Sequence, residues 1–388
     1  LKMKEDYKDI GPYEGQDFED AINRLRQYPQ LLNNFVDIIS RHNRFYNKWK
    51  FFHAKKMLSH LLGTVHNYLE FQDAITCDLF LEMIESSSID EFSVGGIDEL
   101  GSEPHIFISN HRDIVLDAAL LDLALYRNNK NKGEMVIGDN LLVNQFTTDM
   151  FKVNGGITIK RSGSSASEIK EQTLKVSRYI RYCIEEKKRS VWIAQKSGRS
   201  KDGIDNTSSA IIKMLYLAYR EDGISFDEFI KRSSICPIAI SYQYDPCDVT
   251  KSEEQIRKLK AEGCYNVYKK KKYADVLDLV RGMRMNKGNV HLQIGTPLDS
   301  STITDALKAT REIDRQIHTG YRLWDTNYYA FDKVNGTNIY ADKYKDMNTK
   351  AFDKHCKYLK EDVKQYLYQS YANPVVSMRM EEELNEAK

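Results

Sequence analysis

Short apolar runs alternate with helical patterns over residues 105–298, and this alternation constrains the fold more than any other feature of the sequence. Between the runs, apolar residues recur three and four positions apart, which is the spacing of an amphipathic helix. The runs are HIFISN (105–110), GEMVIGD (133–139), GGITIKR (155–161), SVWIAQ (190–195), SSICPIAISYQY (233–244) and NVHLQIGTPL (289–298). Strands separated by helices predict an α/β fold with a mainly parallel central sheet flanked by helices.

Helical patterns continue on both sides of this region. Residues 16–89 space their apolar side chains for helices throughout, and Pro29 is the one clear break. A Gly-rich stretch over 92–104 is expected to be a connector. The sequence therefore predicts a helical N-terminal region (1–91), an α/β domain (92–300) and a helical C-terminal region (301–388).

Composition excludes several classes of protein. The 57 Lys and Arg residues nearly balance the 56 Asp and Glu residues, so no overall field favours a nucleic-acid partner. The six cysteines form no CxxC pair and have no histidine at ligand spacing, which predicts reduced cytoplasmic thiols and no metal site. The start of the chain lacks the apolar core of a signal peptide, and no run of roughly 18 uncharged apolar residues predicts a membrane-spanning helix.

Two basic stretches leave attachment to a membrane surface open. Residues 42–62, HNRFYNKWKFFHAKKMLSHLL, mix cations with aromatic residues, as interfacial helices do. The same pattern suits an ordinary helix that packs its aromatic side chains into the core. The run YKKKK at 268–272 is either a solvated basic face or a patch that faces a membrane or a partner.

The stretch SNHRDIVLD (109–117) follows the first strand, where a helical pattern begins. One interpretation is a helix start, with Asp113 or Asp117 favoured there by the helix dipole. The other is a catalytic histidine, His111, oriented by one of these carboxylates.

Further polar residues follow the other strands. Lys160 and Arg161 end the third run, and the loop after the fourth run contains Lys196, Ser197, Gly198, Arg199 and Lys201. Pro237 lies inside the fifth run, a position that normally indicates an edge strand. Carboxyl ends of parallel strands meet at one edge of a sheet, so a histidine, nearby acids and two basic loops suit base-catalysed chemistry on an anionic substrate.

Four blocks follow one another along the chain: SNHRDIVLD (109–117), GGITIKR (155–161), the loop with Gly198 and Arg199, and the run with Pro237. In this order they resemble the PlsC-like glycerol-phosphate and lysophospholipid acyltransferase family, most closely its Bacteroidetes-type branch. The likeness covers residues 10–300. It implies a glycerol-3-phosphate acyltransferase-like fold. It also implies transfer of a fatty acyl group from acyl-CoA or acyl carrier protein to a hydroxyl of glycerol-3-phosphate or a lysophosphatidic acid, in phospholipid synthesis.

The resemblance assigns roles to particular residues. His111 would be the general base, and Arg161 and Arg199 would bind the acceptor phosphate with help from Lys160, Lys196 and Lys201. Gly198 and Pro237 match the glycine and proline of the third and fourth blocks. Two positions depart from the family pattern: the acid stands one place late, at Asp117, with Asp113 as the alternative carboxylate, and Ser197 replaces the usual glutamate.

The departures keep two alternatives open. The acceptor could be the hydroxyl of a lyso-aminolipid, or the chain could be a catalytically lapsed protein that binds lipid or acyl carrier. In the favoured interpretation the acyl-thioester is a co-substrate, no cofactor is permanently bound and no metal is needed. A lipid-precursor acceptor predicts a cytoplasmic protein, peripheral on the inner face of the membrane, in contact with anionic lipid.

Overall fold

The computed structural model describes residues 7–40, 48–160, 165–263, 268–271 and 273–386. Within these ranges, seven strands form one sheet in the order β1-β7-β6-β2-β5-β3-β4. All neighbouring strands are parallel except β6 and β7, which confirms the predicted mainly parallel α/β fold. The strands are β1 (Glu91–Gly95), β2 (Ile106–Ser109), β3 (Gly133–Gly138), β4 (Gly156–Ile159), β5 (Ser190–Ala194), β6 (Ile235–Tyr242) and β7 (Asn289–Ile294).

Strand β1 corrects the expected connector, whose first residues form an edge strand paired with β7. Phe92 and Val94 are only partly buried, so the segment lacks the continuous apolar run by which the buried strands are recognised. The connector proper begins at Gly96, which has φ +74, and a Cβ there would clash with the carbonyl oxygen of Ile294. Glycine is therefore required where the chain leaves the sheet.

Helices cover both faces of the sheet, and β2 shows how the sequence divides between them. Phe107 packs into one core, whereas Ile106 and Ile108 pack into the other, because successive strand residues point to opposite faces. The helices of this region are α6 (Leu116–Arg127), α7 (Gln145–Lys152), α8 (Ala166–Tyr182), α9 (Ser209–Glu221), α10 (Phe226–Ser233), α11 (Asp248–Gly263) and α12 (Ala274–Arg284).

The N-terminal region is helical, as predicted, and packs into the same core as Phe107. Pro29 opens α2 instead of interrupting a helix, since its fixed φ suits the first helical position. Residues 41–47 and the side chains of 48–52 lie outside the described part. In the rest of the basic aromatic stretch, Ala54, Leu58 and Leu62 pack into this core. The helices are α1 (Gly15–Arg26), α2 (Pro29–Ser40), α3 (Lys48–Leu61), α4 (Tyr68–Phe71) and α5 (Glu82–Ser88), with a π-helical segment at Gln72–Leu81 between the last two.

The C-terminal region is also helical, and it reaches the loop that follows β5. The Asn373 amide donates to the carbonyl of Asp202 (2.7 Å), and His318 Nε2 lies 3.1 Å from the carbonyl of Asp205. Among the described helices, none is long and apolar enough to cross a bilayer. The helices are α13 (Ala306–Gly320), α14 (Asp325–Asn335), α15 (Thr349–His355) and α16 (Glu361–Glu386).

Candidate active site

Asn110 fixes the point where the chain leaves β2. Its side-chain amide donates to the carbonyl of Ile240 (2.9 Å), and its side-chain oxygen accepts from the Ile240 N–H (2.8 Å). The same amide donates to Asp205 (3.0 Å), and Asn110 itself is fully buried. Asn110 therefore ties the end of β2 to β6, and the next residue, His111, begins the turn into α6.

His111 and Asp117 form a hydrogen-bonded pair at the carboxyl edge of the sheet, with 2.9 Å between Nδ1 and Oδ2. Asp117 is almost fully buried and also accepts the backbone N–H groups of Arg112 (2.6 Å) and Asp113 (2.9 Å). Tyr242 donates its hydroxyl to the other carboxylate oxygen at 2.8 Å. Four donors hold this carboxylate, so it can orient the imidazole and assign the Nδ1 proton to the Asp117 side.

Asp113, the alternative carboxylate, contacts the backbone of α6 instead of the imidazole. One of its oxygens accepts the N–H groups of Val115 and Leu116, both at 2.9 Å, at the start of α6. The other oxygen is buried and has no hydrogen-bond partner within the described ranges. Burial, together with the nearby Asp117 carboxylate, raises the pKa of Asp113. Asp113 therefore holds the start of α6, whereas Asp117 contacts the imidazole.

The imidazole of His111 is mostly buried but keeps a small exposed fraction. The His111 side chain is 11% exposed, and Nε2 has no hydrogen-bond partner in the described part of the chain. The Trp192 ring meets the imidazole edge-on at 5.7 Å, and its own N–H is anchored on the hydroxyl of Ser109 (2.9 Å). The wall beside the imidazole is thus rigid and apolar, while Nε2 can accept a proton from a ligand.

The loop after β5 runs alongside this pair because β5 neighbours β2 in the sheet. Gln195 donates its backbone N–H to the carbonyl of Ser109 (2.8 Å), and Ser200 donates to the carbonyl of His111 (2.7 Å). Between these two anchors, Ser197 is exposed and Gly198 adopts φ +80. Their backbone N–H groups donate no hydrogen bond to any described residue, so they are available to a ligand.

Arg199, which the resemblance assigns to the acceptor phosphate, already contacts a carboxylate in the fold. Its guanidinium donates to Asp278 of α12 at 2.6 Å, and the residue is 8% exposed. A carboxylate already neutralises this charge, because burying an unpaired guanidinium would cost several kcal/mol. Arg199 therefore fastens the loop to α12, and one buried nitrogen, Nη1, makes no hydrogen bond to the described residues.

The remaining cations are spread along the sheet edge. Lys160 is exposed at the end of β4, three strands and about 14 Å from β2. Arg161, predicted to bind phosphate beside it, lies outside the described residues. Lys196 donates to the carbonyl of Ile204 (2.9 Å), and Lys201 pairs with Glu254 (2.5 Å).

Pro237 lies in a central strand and not at an edge, which corrects the expectation from its position in the sequence. It stands opposite Ile108 in the parallel pairing of β6 with β2, and β7 covers the other side of β6. Its carbonyl accepts the N–H of Gly295 (2.8 Å), so the residue still takes part in the sheet through its acceptor.

Two residues of the site were not recognised as such from the sequence. Arg112 is buried and bridges Asp205 (2.6 Å) and Asp245 (3.0 Å), which joins the loop after β5 to the end of β6. Its only sequence signal is a charge next to Asn-His. Tyr242 has no signal, because nothing in an apolar strand shows that its hydroxyl will meet Asp117.

No cluster of three His, Cys, Asp or Glu side chains in the described ranges is arranged to hold a metal ion. A groove of about 810 Å³ lies elsewhere, lined by the N-terminal segment, α8 and α9, and includes Lys187, which precedes β5. It therefore opens toward the amino ends of the strands, away from the edge that carries His111.

Residues 91–241 match the family model described as Acyltransferase, which confirms the resemblance over this part of the chain. The Bacteroidetes-type branch stays a prediction. No curated protein matches the chain significantly. The crystal structure of the 1-acyl-sn-glycerophosphate (LPA) acyltransferase PlsC from Thermotoga maritima aligns over 76% of this chain and 94% of that chain, with 12% identity and a TM-score of 0.38. At that score the alignment does not establish a shared fold.

Proposed function

We propose that this chain, whose residues 91–241 match the Acyltransferase family model, moves a fatty acyl group from an acyl-thioester to a hydroxyl of glycerol-3-phosphate or a lysophosphatidic acid. The observation that carries the proposal is the 2.9 Å hydrogen bond between His111 Nδ1 and Asp117. It leaves Nε2 free to accept a proton at the carboxyl edge of the sheet, where α/β proteins bind their ligands.

The proposed mechanism uses His111 as a general base. A hydroxyl is a weak nucleophile at neutral pH, and Nε2 would take its proton as the oxygen attacks the thioester carbonyl. The new C–O bond forms, the C–S bond breaks, and the imidazolium returns the proton to the departing sulfur. Such assistance contributes roughly 10²- to 10⁴-fold to the rate. Asp117 would hold the ring and stabilise its positive charge.

The free N–H groups of Ser197 and Gly198 are the candidates for binding the thioester oxygen as it gains negative charge. Gly198 supports this because its φ of +80 turns the loop in a way that other residues rarely adopt. The acceptor phosphate would then rest on Lys160, Arg161 and Lys196, since Asp278 already occupies Arg199. No metal is needed, because a thiolate is a good leaving group.

The partners follow from this chemistry. Acyl-CoA or an acyl carrier protein would supply the acyl group as a co-substrate, and no cofactor would remain bound between turnovers. A lipid-precursor acceptor would be met most readily at a membrane, so we place the protein peripherally on the inner face of the cytoplasmic membrane.

A second acceptor class has support of its own. Two loop cations expected at an anionic acceptor, Arg199 and Lys201, are neutralised by Asp278 and Glu254. Ser197 leaves the loop without the usual acid. The same reaction on the hydroxyl of a lyso-aminolipid would need fewer cations. A lapsed protein that only binds lipid or acyl carrier is the third outcome to be distinguished.

An acceptor panel tests the proposal. Purified protein is incubated with labelled acyl-CoA or acyl carrier protein and with glycerol-3-phosphate, a lysophosphatidic acid or a lyso-aminolipid. We expect transfer to the phosphorylated acceptors, and Lys160→Ala with Arg161→Ala should raise KM for them about tenfold or more with little change in kcat. Transfer only to the lyso-aminolipid would favour the second class, and an absence of thioester consumption with every acceptor would leave the third.

The two carboxylates provide a matched pair of variants. Asp117→Asn should lower kcat by about 10²-fold or more, because an amide donor at that position favours the wrong imidazole tautomer. Asp113→Asn keeps the oxygen that caps α6, so it should leave both kcat and KM near the wild-type values. Steady-state kinetics with one acceptor compares them. Equal losses in the two variants would contradict the assignment of Asp117 to the imidazole.

A further inference from the structure

Helix α12 forms one wall of the candidate site with its inner side. Asp278 holds Arg199 at 2.6 Å, and that loop also contacts the backbone of His111 through Ser200. Gly282 lies directly against the Asp113 carboxylate, and a Cβ at this glycine would clash with it. A surface that contacts the other side of α12 would therefore lie close to the candidate active site.

The other side of α12 is exposed and carries both apolar and basic side chains. Tyr273 and Leu277 are each 54% exposed, and the Arg281 side chain is 52% exposed. These residues follow one another at intervals of four, so they lie along one face of the helix. Lys269 and Lys271 precede them and are exposed as well. We call these five residues the outer face of α12.

The acids of this segment turn away from the outer face. Asp275 pairs with Lys270 (2.6 Å) and accepts from Asn140 (3.0 Å), while Asp278 is buried against Arg199. Asp278 also meets Arg281 at 3.2 Å, so one carboxylate is shared between two guanidinium groups. Lys269 and Lys271 pair with no acid among the described residues. The outer face is thus positively charged, with Lys269 and Lys271 uncompensated and Arg281 sharing Asp278 with Arg199.

Helix α11 shows that this is not general on the surface. It exposes three cations, and each pairs with an acid. The pairs are Arg257 with Glu253 (3.6 Å), Lys258 with Glu262 (3.9 Å) and Lys260 with Asp362 (2.5 Å). The exposed cations of α11 are thus compensated, whereas Lys269 and Lys271 are not.

We propose that the outer face of α12 rests on the surface of an anionic lipid bilayer. Tyr273 and Leu277 would enter the headgroup region, and Lys269, Lys271 and Arg281 would contact lipid phosphates, the combination by which interfacial helices bind. A protein partner fits less well, since a specific interface buries about 800 Å² on each side, more than one helix face provides. The inference uses the proposed function only for the idea that a lipid acceptor reaches His111. Binding to the bilayer itself requires no acyl transfer.

Vesicle co-sedimentation tests the charges of this face. Wild-type protein should bind vesicles of phosphatidylcholine mixed with phosphatidylglycerol and not vesicles of phosphatidylcholine alone. Lys269→Gln/Lys271→Gln should weaken binding about 25-fold, since each cation near anionic lipid contributes about fivefold. The matched control is Lys343→Gln/Lys345→Gln, a second pair of exposed lysines two residues apart, which should bind as the wild type does.

The apolar contribution of the outer face is tested with a second matched pair of variants. Leu277→Ser should weaken binding about tenfold, whereas Leu307→Ser, at a leucine 72% exposed on α13, should not. All four variants change exposed side chains, and unchanged thermal unfolding will show that they fold. The proposal is overturned if the wild type does not bind anionic vesicles, if variants and controls lose binding equally, or if binding survives both changes to the outer face. Binding of an acidic carrier protein here without vesicle binding would overturn it too.

The acyl-transfer assay separates this test from the proposed function. Protein that binds vesicles through the outer face but moves no acyl group would leave the membrane inference standing and reject the enzyme. Protein that acylates an acceptor but does not bind vesicles would support the proposed function and reject the membrane inference.

Discussion

Replacing His111 by alanine should lower kcat/KM for acyl transfer by about 10²- to 10⁴-fold, the contribution of a well-placed general base. The loss should appear in kcat more than in KM, because the imidazole acts on the proton in transit and not on the bound acceptor. The measurement is initial-rate kinetics with labelled thioester, and thermal unfolding verifies the fold of the variant.

Chemical rescue sharpens this experiment. Free imidazole should partly restore transfer in His111→Ala, since it can enter the space that the side chain leaves. It should not restore Asp117→Asn, where the ring is present but held wrongly. His66→Ala is the control, because that side chain is 70% exposed and lies outside the site. Activity of His111→Ala near the wild-type rate would mean that another group removes the proton.

Replacing Arg112 by methionine should lower the free energy of unfolding by about 3–5 kcal/mol, because it leaves the buried carboxylate of Asp205, 2.6 Å from the guanidinium, without a cation. Asp245, 3.0 Å from the guanidinium, keeps its ion pair with Lys251. Urea unfolding at neutral pH measures the difference. The exposed pair Arg178–Glu221, with both side chains 42% exposed, supplies the control, since Arg178→Met should cost at most about 1 kcal/mol.

The stability that Arg112 contributes should decrease as the pH falls. Burial alone would raise the pKa of Asp205, but the Arg112 guanidinium outweighs it and holds that pKa below its usual value. A lowered folded-state pKa gives stability that is present above the unfolded pKa, about 3.9, and is lost as the pH falls through the folded value. The difference between wild type and Arg112→Met should therefore shrink in acid.

A second substitution tests the cause of this loss. Asp205→Asn in the Arg112→Met background should recover part of the stability, because it removes the buried carboxylate charge that has lost its cation. Equal losses from Arg112→Met and Arg178→Met, or no recovery in the double variant, would show that the buried network is not what stabilises this region.

The sequence predicted the strands that are buried on both faces. Their apolar runs are continuous, so β2, β5 and β6 are found within two residues of their ends. It did not predict β1, whose half-buried edge position leaves only Phe92 and Val94 as a pattern. It also treated 245–288 as little more than a basic run, whereas α11 and α12 lie there and α12 borders the site.

In the candidate site too, some residues could be recognised from the sequence and others could not. His111 could be singled out because a polar pair at a strand end is unusual, and Asp117 could be weighed against Asp113 from helix spacing. The surroundings of Arg199 could not be foreseen, since its partner Asp278 stands 79 residues later in the chain. The same holds for Tyr242, whose hydroxyl meets Asp117 across 125 residues.

The sequence by itself determined the class of fold, the edge of the sheet at which chemistry is expected and the histidine placed there, because periodicity and strand ends are local properties. Only the tertiary structure decided which carboxylate contacts that histidine, which cations remain open to a ligand and which helix closes the site. Those outcomes depend on ion pairs and hydrogen bonds between distant segments. A charge in the sequence does not show which opposite charge the fold will bring to it.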